Sequence, residues 1–431
     1  MVEQISSLKT GVKYKDTPIG KVPVDWEVVR LENISLKFYN GGTPDTTNKD
    51  YWNGKIPWVT GADFENQKVN RIRRYISDEG VKNSATNIVQ KGNILVVTRT
   101  GVGKLAIAPV DIAISQDITG IVLYQEKALS TYIYWYLNHN ENRLKAIVQG
   151  TSINGLLRDD LESFAVSLPP VQEQKKIAQI ISTLDDAIEK TIQVIEKAKE
   201  LKKGLMQTLF TSGIGHKKFK KTILGKIPVE WEVKKLGQVS ELKNGINFRK
   251  EQKGQQGILT IDVLNMYSSS IFIEPNSLYR VNLNLINKKD YILKEGDILF
   301  VRSSVKKEGV GWACLFKPFD EQATFCGFLI RARLLKTNIS PEFLAYFLRS
   351  DRVRGRLISG AGHAAITNIS QNTLQDLDIV IPSFGEQKEI VKALSLIVDQ
   401  IEKESNHLEQ LKLLKKGLMQ VLLTGKLRVT V

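Results

Sequence analysis

The sequence contains little cysteine and little histidine. Its 431 residues include two cysteines, Cys314 and Cys326, and four histidines. Two cysteines cannot build the disulfide framework of a small secreted protein, and their spacing does not match the CxxC pattern of a zinc site. We therefore expect no metal, no cofactor and a location in the reducing cytoplasm.

Long apolar stretches are also missing. Residues 1–16 lack the apolar core of a signal peptide, and no run approaches the roughly 18 apolar residues that a membrane helix needs. The sequence accordingly predicts a protein without a membrane partner.

The motifs of common DNA-modifying enzymes do not occur either. There is no Asn/Asp-Pro-Pro-aromatic motif of an amino-methyltransferase, no nuclease core and no phosphate-binding loop of a helicase. The stretch from Gly101 to Lys104 resembles such a loop, but Thr98 stands in place of its first glycine. The sequence predicts a protein that is not an enzyme and has no catalytic residues.

Positive charge, by contrast, is in excess. The 61 Lys and Arg residues outnumber the 46 Asp and Glu residues, which gives a formal net charge of +15. This excess favours a polyanionic partner, although a basic host proteome would also produce it. The length of the chain exceeds what one ordinary core accommodates, so two or three domains are expected.

The chain also repeats itself. The segment 13–28, which contains VPVDWEV, returns as 218–233 with IPVEWEV. Two later pairs share a single shift of 213 positions: EQKKI with EQKEI, and LKKGLMQ at 201–207 with the same seven residues at 414–420. Two matches at one offset indicate a tandem duplication. Residues 41–150 and 245–360 share little beyond a GxIL strand, so each copy combines a variable block with a retained block.

The retained blocks have the pattern of long helices. Apolar residues recur at alternating steps of three and four over about five heptads, interrupted by polar residues such as Thr191 and Glu404. About 37 residues predict a rod of about 55 Å, and so narrow an apolar stripe needs a partner. The other copy is the obvious partner, and two separate surface helices are the alternative. The predicted coiled-coil positions are Ile177, Ile181, Leu184, Ile188, Ile390, Leu394, Ile397 and Ile401.

These motifs together resemble a known family. GKVPVDWEV and GKIPVEWEV open the two halves, LPPVQEQKKIA and IPSFGEQKEIV open the helices, and GGTP with YWNGKIPW lies in the first variable block. Over nearly its whole length the chain resembles the specificity subunit of type I restriction-modification systems. The second variable block departs from the first, because residues 244–248 replace GGTP and no YWNG follows.

The resemblance implies the fold class. It is α+β, with two α/β target-recognition domains separated by two long antiparallel coiled-coil helices and an internal pseudo-two-fold repeat. The corresponding ranges are 1–168 and 213–381 for the recognition domains, and 169–212 and 382–431 for the helices.

The resemblance also implies the partners. They are double-stranded DNA, two methylation (M) subunits that modify adenine, and restriction/translocase (R) subunits, all assembled on this chain. Because the two variable blocks differ, we expect an asymmetric bipartite DNA target. A self-contained enzyme and a scaffold that binds only proteins are the alternatives; the missing catalytic motifs disfavour the first and the divergent basic blocks the second.

Basic and polar clusters in the variable blocks are the candidate DNA contacts. Arginine can bind guanine and asparagine can bind adenine, while hydroxyls and cations hold phosphates. For most of these clusters a solvated surface is an equally good interpretation, and for the arginines at 352, 354 and 356 it is the better one. The predicted contacts are Thr43, Arg71, Arg73, Arg74, Arg99, Lys104, Asn247, Arg249, Arg302, Ser303, Lys306 and Lys307.

Overall fold

A computed structural model describes residues 8–9, 13–149, 155–275, 278–283, 289–335, 338–359 and 367–429. The chain divides into two compact units. The first unit consists of residues 1–192 and 407–431, and the second consists of residues 193–406. Both unit boundaries lie within long helices, so the four ranges based on sequence motifs stay a prediction.

The helices differ greatly in length, and two of them have 39 residues each. None of the described helices is both long and apolar enough to cross a membrane. The α-helices are α1 (Leu31–Ile34), α2 (Asp78–Lys82), α3 (Ser130–His139), α4 (Glu141–Gln149), α5 (Arg158–Glu162), α6 (Val171–Leu209), α7 (Leu236–Val239), α8 (Pro341–Leu348), α9 (Asp351–Ser359), α10 (Gln371–Gln375) and α11 (Phe384–Leu422). Short 3₁₀ helices lie at Lys49–Trp52, Gly61–Asp63, Lys250–Gln252, Val263–Met266, Lys289–Tyr291 and Lys307–Gly309.

The strands are short throughout. In the first unit they are β1 (Leu8–Lys9), β2 (Tyr14–Thr17), β3 (Gly20–Pro23), β4 (Glu27–Arg30), β5 (Ser35–Asn40), β6 (Ile56–Val59), β7 (Phe64–Glu65), β8 (Lys68–Val69), β9 (Arg74–Ile76), β10 (Ile88–Val89), β11 (Ile94–Val97), β12 (Leu105–Ile107), β13 (Ile112–Ile114), β14 (Ile118–Leu123) and β15 (Ala165–Leu168). In the second unit they are β16 (Phe219–Thr222), β17 (Gly225–Pro228), β18 (Glu232–Lys235), β19 (Ser240–Asn244), β20 (Lys253–Gly254), β21 (Ile258–Ile261), β22 (Tyr279–Val281), β23 (Ile298–Val301), β24 (Ser303–Ser304), β25 (Ala313–Leu315), β26 (Ala323–Phe325), β27 (Leu329–Leu334), β28 (Thr367–Asn368) and β29 (Asp378–Ile381). The last strand, β30 (Arg428–Val429), returns to the first unit and pairs with β1.

The first unit contains two four-stranded sheets, in the orders β10-β13-β6-β9 and β12-β11-β14-β5. Strand β11 is apolar at every position because both of its faces are covered. Ile94 and Val96 pack against the helices, whereas Leu95 and Val97 pack against the other sheet. The strand therefore lies between two cores.

The second unit has the same design. Its sheets have the orders β19-β27-β23-β25 and β20-β22-β21-β26. In β23, Ile298 and Phe300 join the core on the helix side, and Leu299 and Val301 join the core between the sheets. The GxIL strand that both copies share is thus an inner strand of the corresponding sheet in both units.

The two long helices contribute to both units. At 1.5 Å per residue, each is about 58 Å long. In the first unit the start of α6 packs against the end of α11, where Ile177 and Ile181 share a core with Leu422. In the second unit the start of α11 packs against the end of α6, where Ile390 shares a core with Leu209. Each unit thus pairs the start of one helix with the end of the other, so the predicted antiparallel arrangement and mixed α/β fold are confirmed.

The predicted coiled-coil positions lie on the inner side of these helices. A polar residue also belongs to this stripe: Thr191 is buried, and its hydroxyl donates to the carbonyl of Ala187 at 2.8 Å. Ile177, Ile181, Leu184, Ile390 and Leu394 are buried, and Ile188, Ile397 and Ile401 are half-buried.

Candidate nucleic-acid interface

Several strand ends meet at one edge of the first unit. The amide of Gly42, after β5, donates to Ile114 in β13 at 2.9 Å. The amide of Thr98, after β11, donates to the carbonyl of Asp117 at 2.7 Å. The loops 41–43, 60–63, 98–104 and 115–117 therefore lie together, and we call them the first loop edge.

Glycine is required where these loops cross. A Cβ atom at Gly41 would overlap the backbone carbonyl of Ser115, and one at Gly42 would overlap the backbone of Ala85. The indole N–H of Trp58 also donates to the carbonyl of Gly42 at 3.0 Å. The GGTP motif and the tryptophan of IPW thus have a structural explanation, which is close backbone approach at the first loop edge.

The second unit has an equivalent edge. The amide of Ile246 donates to Phe325 at 3.0 Å, as the amide of Gly42 does to Ile114. The amide of Arg302 donates to Phe328 at 2.8 Å, as that of Thr98 does to Asp117. The loops 245–248, 262–267, 302–310 and 326–328 form this second loop edge.

The equivalence extends to loops without sequence similarity. In the first unit the amide of Thr60 donates to the carboxylate of Asp63 at 2.8 Å. In the second, the amide of Asp262 donates to the side chain of Asn265 at 2.9 Å. The same local turn is thus built twice from different residues.

Two predicted contacts of the first unit, Thr43 and Arg73, interact with neighbouring side chains. The side chain of Thr43 is bonded to that of Gln116, and Arg73 is paired with buried Asp63. Burial opposes ionisation of Asp63, but hydrogen bonds from Arg73 and Thr60 outweigh it and lower its pKa. The hydrogen bond to Asp63 in turn raises the pKa of Arg73.

Arg74 and Lys104 are also engaged within the unit. The Arg74 guanidinium lies 4.4 Å above the ring of Trp58. The Lys104 ammonium donates to the carbonyls of Gly61 and Phe64, both at 3.2 Å. Lys104 therefore fixes the turn of the first loop edge to the neighbouring loop.

Two exposed cations among the predicted contacts of the first unit have no partner in the described part of the chain. Arg71 and Arg99 are exposed, and neither side chain forms a hydrogen bond or ion pair with another described residue. They are available to an external anion, whereas Arg73 is committed to Asp63.

Asn247 of the second loop edge and Arg249, just after that edge, are exposed on the loop that follows β19. Arg302 is half-buried, and its guanidinium donates to the carbonyl of Gly327 at 3.3 Å. Lys306 and Lys307 are exposed, and neither pairs with a described carboxylate. Ser303 is half-buried in β24, opposite Asn368 of β28.

A polar cluster in the second loop edge was not predicted from the sequence. The Tyr279 hydroxyl donates to Asp262 at 2.8 Å, and the Cys326 thiol lies 3.3 Å from the same carboxylate. Burial and the neighbouring Asp262 raise the pKa of Cys326 to about 12, so the thiol is neutral. A cleft of about 500 Å³ opens beside Asp262 and Tyr279. The cluster joins residues more than 60 positions apart, and no local pattern in the sequence reveals it.

The solvated interpretation of the arginines on α9 is wrong for Arg354. Its guanidinium is buried and donates to the carbonyls of Val310 and Glu308 at 2.6 and 2.5 Å. Burial lowers its pKa to about 10. Arg352 and Arg356 donate to the carbonyls of Leu224 and Ile223. Arg354 thus connects α9 to the second loop edge, whereas Arg352 and Arg356 connect it to the turn between β16 and β17.

The repeated tryptophans bind the starts of the long helices. The indole of Trp26 donates to Glu173 of α6 at 3.1 Å, and that of Trp231 donates to Glu386 of α11 at 2.9 Å. In the first unit Arg428 also pairs with Glu173, at 2.6 Å. The DWEV and EWEV motifs therefore hold each helix to its unit.

The glutamine of each EQK motif has a matching role. The side-chain amide of Gln174 accepts from the backbone N–H of Leu129 and donates to the carbonyl of Lys127, both at 2.9 Å. That of Gln387 accepts from Ser340 at 2.8 Å and donates to Asn338 at 3.1 Å. Each glutamine joins the start of a long helix to the segment that leads into the short helix α3 or α8.

Metal binding has no candidate within the described ranges. No group of three or more His, Cys, Asp or Glu side chains among these residues lies close enough together to hold an ion.

Comparison with known proteins gives consistent matches. The model of the type I restriction modification DNA specificity domain matches residues 23–197 and 228–413. The type I restriction enzyme MjaVIII specificity subunit of Methanocaldococcus jannaschii is 30% identical over 425 residues, which cover 95% of this chain and 94% of that protein. The putative MjaX specificity subunit of the same organism is 29% identical over 441 residues, covering 96% of this chain and 97% of that protein.

Solved structures agree on the fold. The type I restriction-modification S subunit of M. genitalium matches with a TM-score of 0.59 at 14% identity, over 92% of this chain and 96% of that chain. A chain of a type I system whose complex assembly has been described matches with a TM-score of 0.55 at 16% identity, over 94% and 99% of the two chains.

Proposed function

Because the chain belongs to the type I restriction modification DNA specificity family, we propose that it selects an asymmetric, two-part sequence in double-stranded DNA. Each loop edge reads one part of the site. The two long antiparallel helices set the length of the unread gap between the parts.

The observation that carries this proposal is the pair of loop edges. The same backbone hydrogen bonds position both edges, as at Gly42 and Ile246. The side chains that they present differ, as Thr43 does from Asn247. A common backbone frame that presents different side chains is suited to reading two different half-sites, so we expect the target to be asymmetric.

The exposed cations supply affinity for phosphates. Arg71, Arg99, Arg249, Lys306 and Lys307 are all exposed in or next to the loop edges. Contacts of this kind give sequence-independent binding that weakens as salt rises. Side chains that reach base edges, for which we propose Thr43, Asn247 and the arginines of these loops, give the sequence preference.

The long helices offer two equal docking surfaces. Leu201 and Gly204 of α6 are exposed, and so are Leu414 and Gly417 of α11 at the same places in LKKGLMQ. We propose that this repeated face binds two copies of a methylation subunit, with restriction subunits joining the assembly in the cytoplasm. Adenine methylation and DNA cleavage then belong to those chains, and this chain is not a catalyst.

The first test is a genome-wide map of methylated adenine in the host, with and without this gene. We expect one asymmetric two-part motif to lose its methylation on deletion, because no other chain selects that site. An unchanged map, together with the absence of any methyltransferase that co-purifies with the chain, would contradict the proposal.

A second test separates base readers from phosphate contacts. Asn247→Ala should cost about 1–3 kcal/mol at one base position of the site. Lys306→Gln with Lys307→Gln should weaken all sequences alike and flatten the salt dependence. Binding of the assembled complex to a library of duplexes at two salt concentrations measures both effects. Indistinguishable results for the two classes of variant would refute the assignment.

The helices as spacers can be tested separately. Inserting four residues into both long helices should lengthen the unread gap of the methylated motif, and an unchanged gap would refute this role.

A further inference from the structure

Three large apolar side chains project from the second loop edge. Leu264, Val305 and Phe328 are exposed by 85%, 83% and 60%. Each belongs to a different loop, and each of these loops follows or precedes a core strand. Single exposed apolar residues are common on protein surfaces, but a group of them on neighbouring loops can mark an interaction site.

The three loops are connected to one another. The amide of Arg302 donates to the carbonyl of Phe328 at 2.8 Å, which joins the loop of Val305 to that of Phe328. The hydroxyl of Tyr267 lies 3.4 Å from that of Ser304, which joins the loop of Leu264 to that of Val305. We call Leu264, Val305 and Phe328 the apolar tips.

The first loop edge has no such tips. Ala62 follows Thr60 by two positions, as Leu264 follows Asp262, and Asp117 takes the place of Phe328 in the hydrogen bond to the neighbouring loop. The loop that corresponds to that of Val305 contains Thr100 and Gly101. The backbone frame therefore does not require apolar residues at these places, and the tips belong to the task of the second unit.

Cations lie on the loop of Val305 and on the loop after β19. Arg249, Lys306 and Lys307 are exposed and form no ion pair with a described residue, and Arg302 is half-buried beside Phe328. Cations and exposed apolar side chains on neighbouring loops fit a polyanion that offers apolar groups between its charges. Duplex DNA meets this description in the major groove, where the C5-methyl group of thymine projects between the phosphate backbones.

On the basis of the proposed function, we propose that the apolar tips contact thymine methyl groups in the half-site that the second unit reads. The second half-site then contains thymine, on either strand, at one or more positions within reach of these loops. Burial of one methyl group corresponds to about a four-fold gain in affinity.

Deoxyuridine supplies a direct test, since it differs from thymidine only by the missing C5-methyl group. The assembled complex is bound to duplexes that carry the mapped target, with each thymine of either half-site replaced in turn. We expect about a four-fold loss of affinity for at least one replacement, and no change in site selection elsewhere.

Variants then assign the effect to the tips. Leu264→Ser, Val305→Ser and Phe328→Ser should each weaken binding to the thymine duplex, and at least one should abolish the difference between thymine and deoxyuridine. Leu335→Ser is the matched control. Leu335 is 65% exposed and lies directly after β27, whereas Phe328 lies directly before it. It should preserve the difference.

Several results would overturn the proposal. One is equal binding of thymine and deoxyuridine at every position, and another is a difference that survives in all three variants. A rise in 2-aminopurine fluorescence on binding, lost in Phe328→Ser, would assign the tips to base unstacking instead. Loss of methylation subunits from the Phe328→Ser complex would make the tips a protein interface. In all of these cases a wild-type complex that still selects its site leaves the proposed function intact.

Discussion

The first unit holds the start of its long helix with an arginine, whereas the second unit uses a histidine. Glu173 accepts from Trp26 and pairs with Arg428, which returns from the far end of the chain. Glu386 accepts from Trp231 and contacts His216 at 2.9 Å, from the segment that follows α6. The tryptophan and the glutamate occur in both copies. The third partner differs, because Arg428 comes from the end of the chain and His216 from the segment after α6.

The loop edges differ in the same way. Backbone hydrogen bonds and the glycines at Gly41 and Gly245 are common to both. The first edge presents polar and charged groups such as Thr43 and Asp117, whereas the second presents Leu264 and Phe328. After the duplication, the contacts that shape the frame were thus retained, whereas the residues that face outward changed.

The largest effect is expected where the frame is held by a buried ion pair. Glu173 is 3% exposed and Glu386 11%. Glu173→Ala leaves Arg428 with only the more exposed Asp25 and the Trp26 indole without its acceptor, and should lower the free energy of unfolding by about 3 kcal/mol. Glu386→Ala removes a more exposed contact and should lower it by about 1–3 kcal/mol. Chemical denaturation of the two variants measures the difference.

Glu196→Ala is the control for these two changes, because Glu196 lies on the same helix as Glu173 with an exposed side chain. It should alter stability by less than about 0.5 kcal/mol. Equal losses for Glu173→Ala and Glu386→Ala would show that the third partner contributes nothing to the difference between the units.

Close backbone approach should affect both units alike. An alanine Cβ at Gly41 or Gly245 would overlap the carbonyl oxygen of Ser115 or Cys326. Because backbone rather than a flexible side chain must move, each substitution should cost about 3 kcal/mol in the free energy of unfolding. Gly254→Ala is the control, since nothing lies within 4 Å of its Cβ position. A loss in one unit only would refute the equivalence of the two edges.

The sequence predicts the frame well because the frame is periodic and repeated. The three-and-four spacing predicts α6 and α11, and the shared GxIL segments predict β11 and β23. The identity of the flanking motifs indicates the duplication and the family. These features depend on neighbours along the chain, which a single sequence displays directly.

The loop edges are less predictable because their contacts are distant in sequence. A run of basic residues at Arg352, Arg354 and Arg356 suggests a solvated helix, but the guanidinium of Arg354 is buried against loop carbonyls. Nothing in the sequence aligns Asp262 with Thr60, and only the shared hydrogen-bonding turn reveals the match. Composition indicates which residues could bind DNA, but not which of them already bind other residues of the chain.

A smaller difference concerns one lysine of LKKGLMQ in each copy. Lys415 pairs with Asp185 at 2.5 Å and lies 4.4 Å from the ring of Trp135. Its counterpart Lys202 is half-buried with no described carboxylate in ion-pair distance, and burial and Arg349 lower its pKa. A lowered lysine pKa means that folding opposes the charged form, so at neutral pH Lys202 destabilises the second unit.

Methionine substitution should therefore destabilise the first unit but not the second. Lys415→Met should lower the free energy of unfolding by about 1 kcal/mol, since Asp185 keeps Lys68 as a second partner at 3.4 Å. Lys202→Met should leave it unchanged or raise it by up to about 1 kcal/mol. Denaturation at pH 7 measures both, and losses of the same size would contradict the difference in pairing.

The smallest expected effect concerns two glycines, and it separates their contribution to stability from their contribution to assembly. Gly204 and Gly417 are exposed within α6 and α11, and nothing lies within 4 Å of the Cβ that alanine would add. Alanine should therefore raise the free energy of unfolding of the isolated chain by about 0.5–1 kcal/mol at each site. If a methylation subunit approaches this face closely, the same substitutions should weaken its binding, equally for the two sites. Pull-down of the methylation subunit at several concentrations, beside denaturation of the chain alone, measures both quantities. Stabilised variants that assemble as the wild type does would show that the retained glycines do not serve this contact, and unequal losses would show that the two copies bind their partners differently.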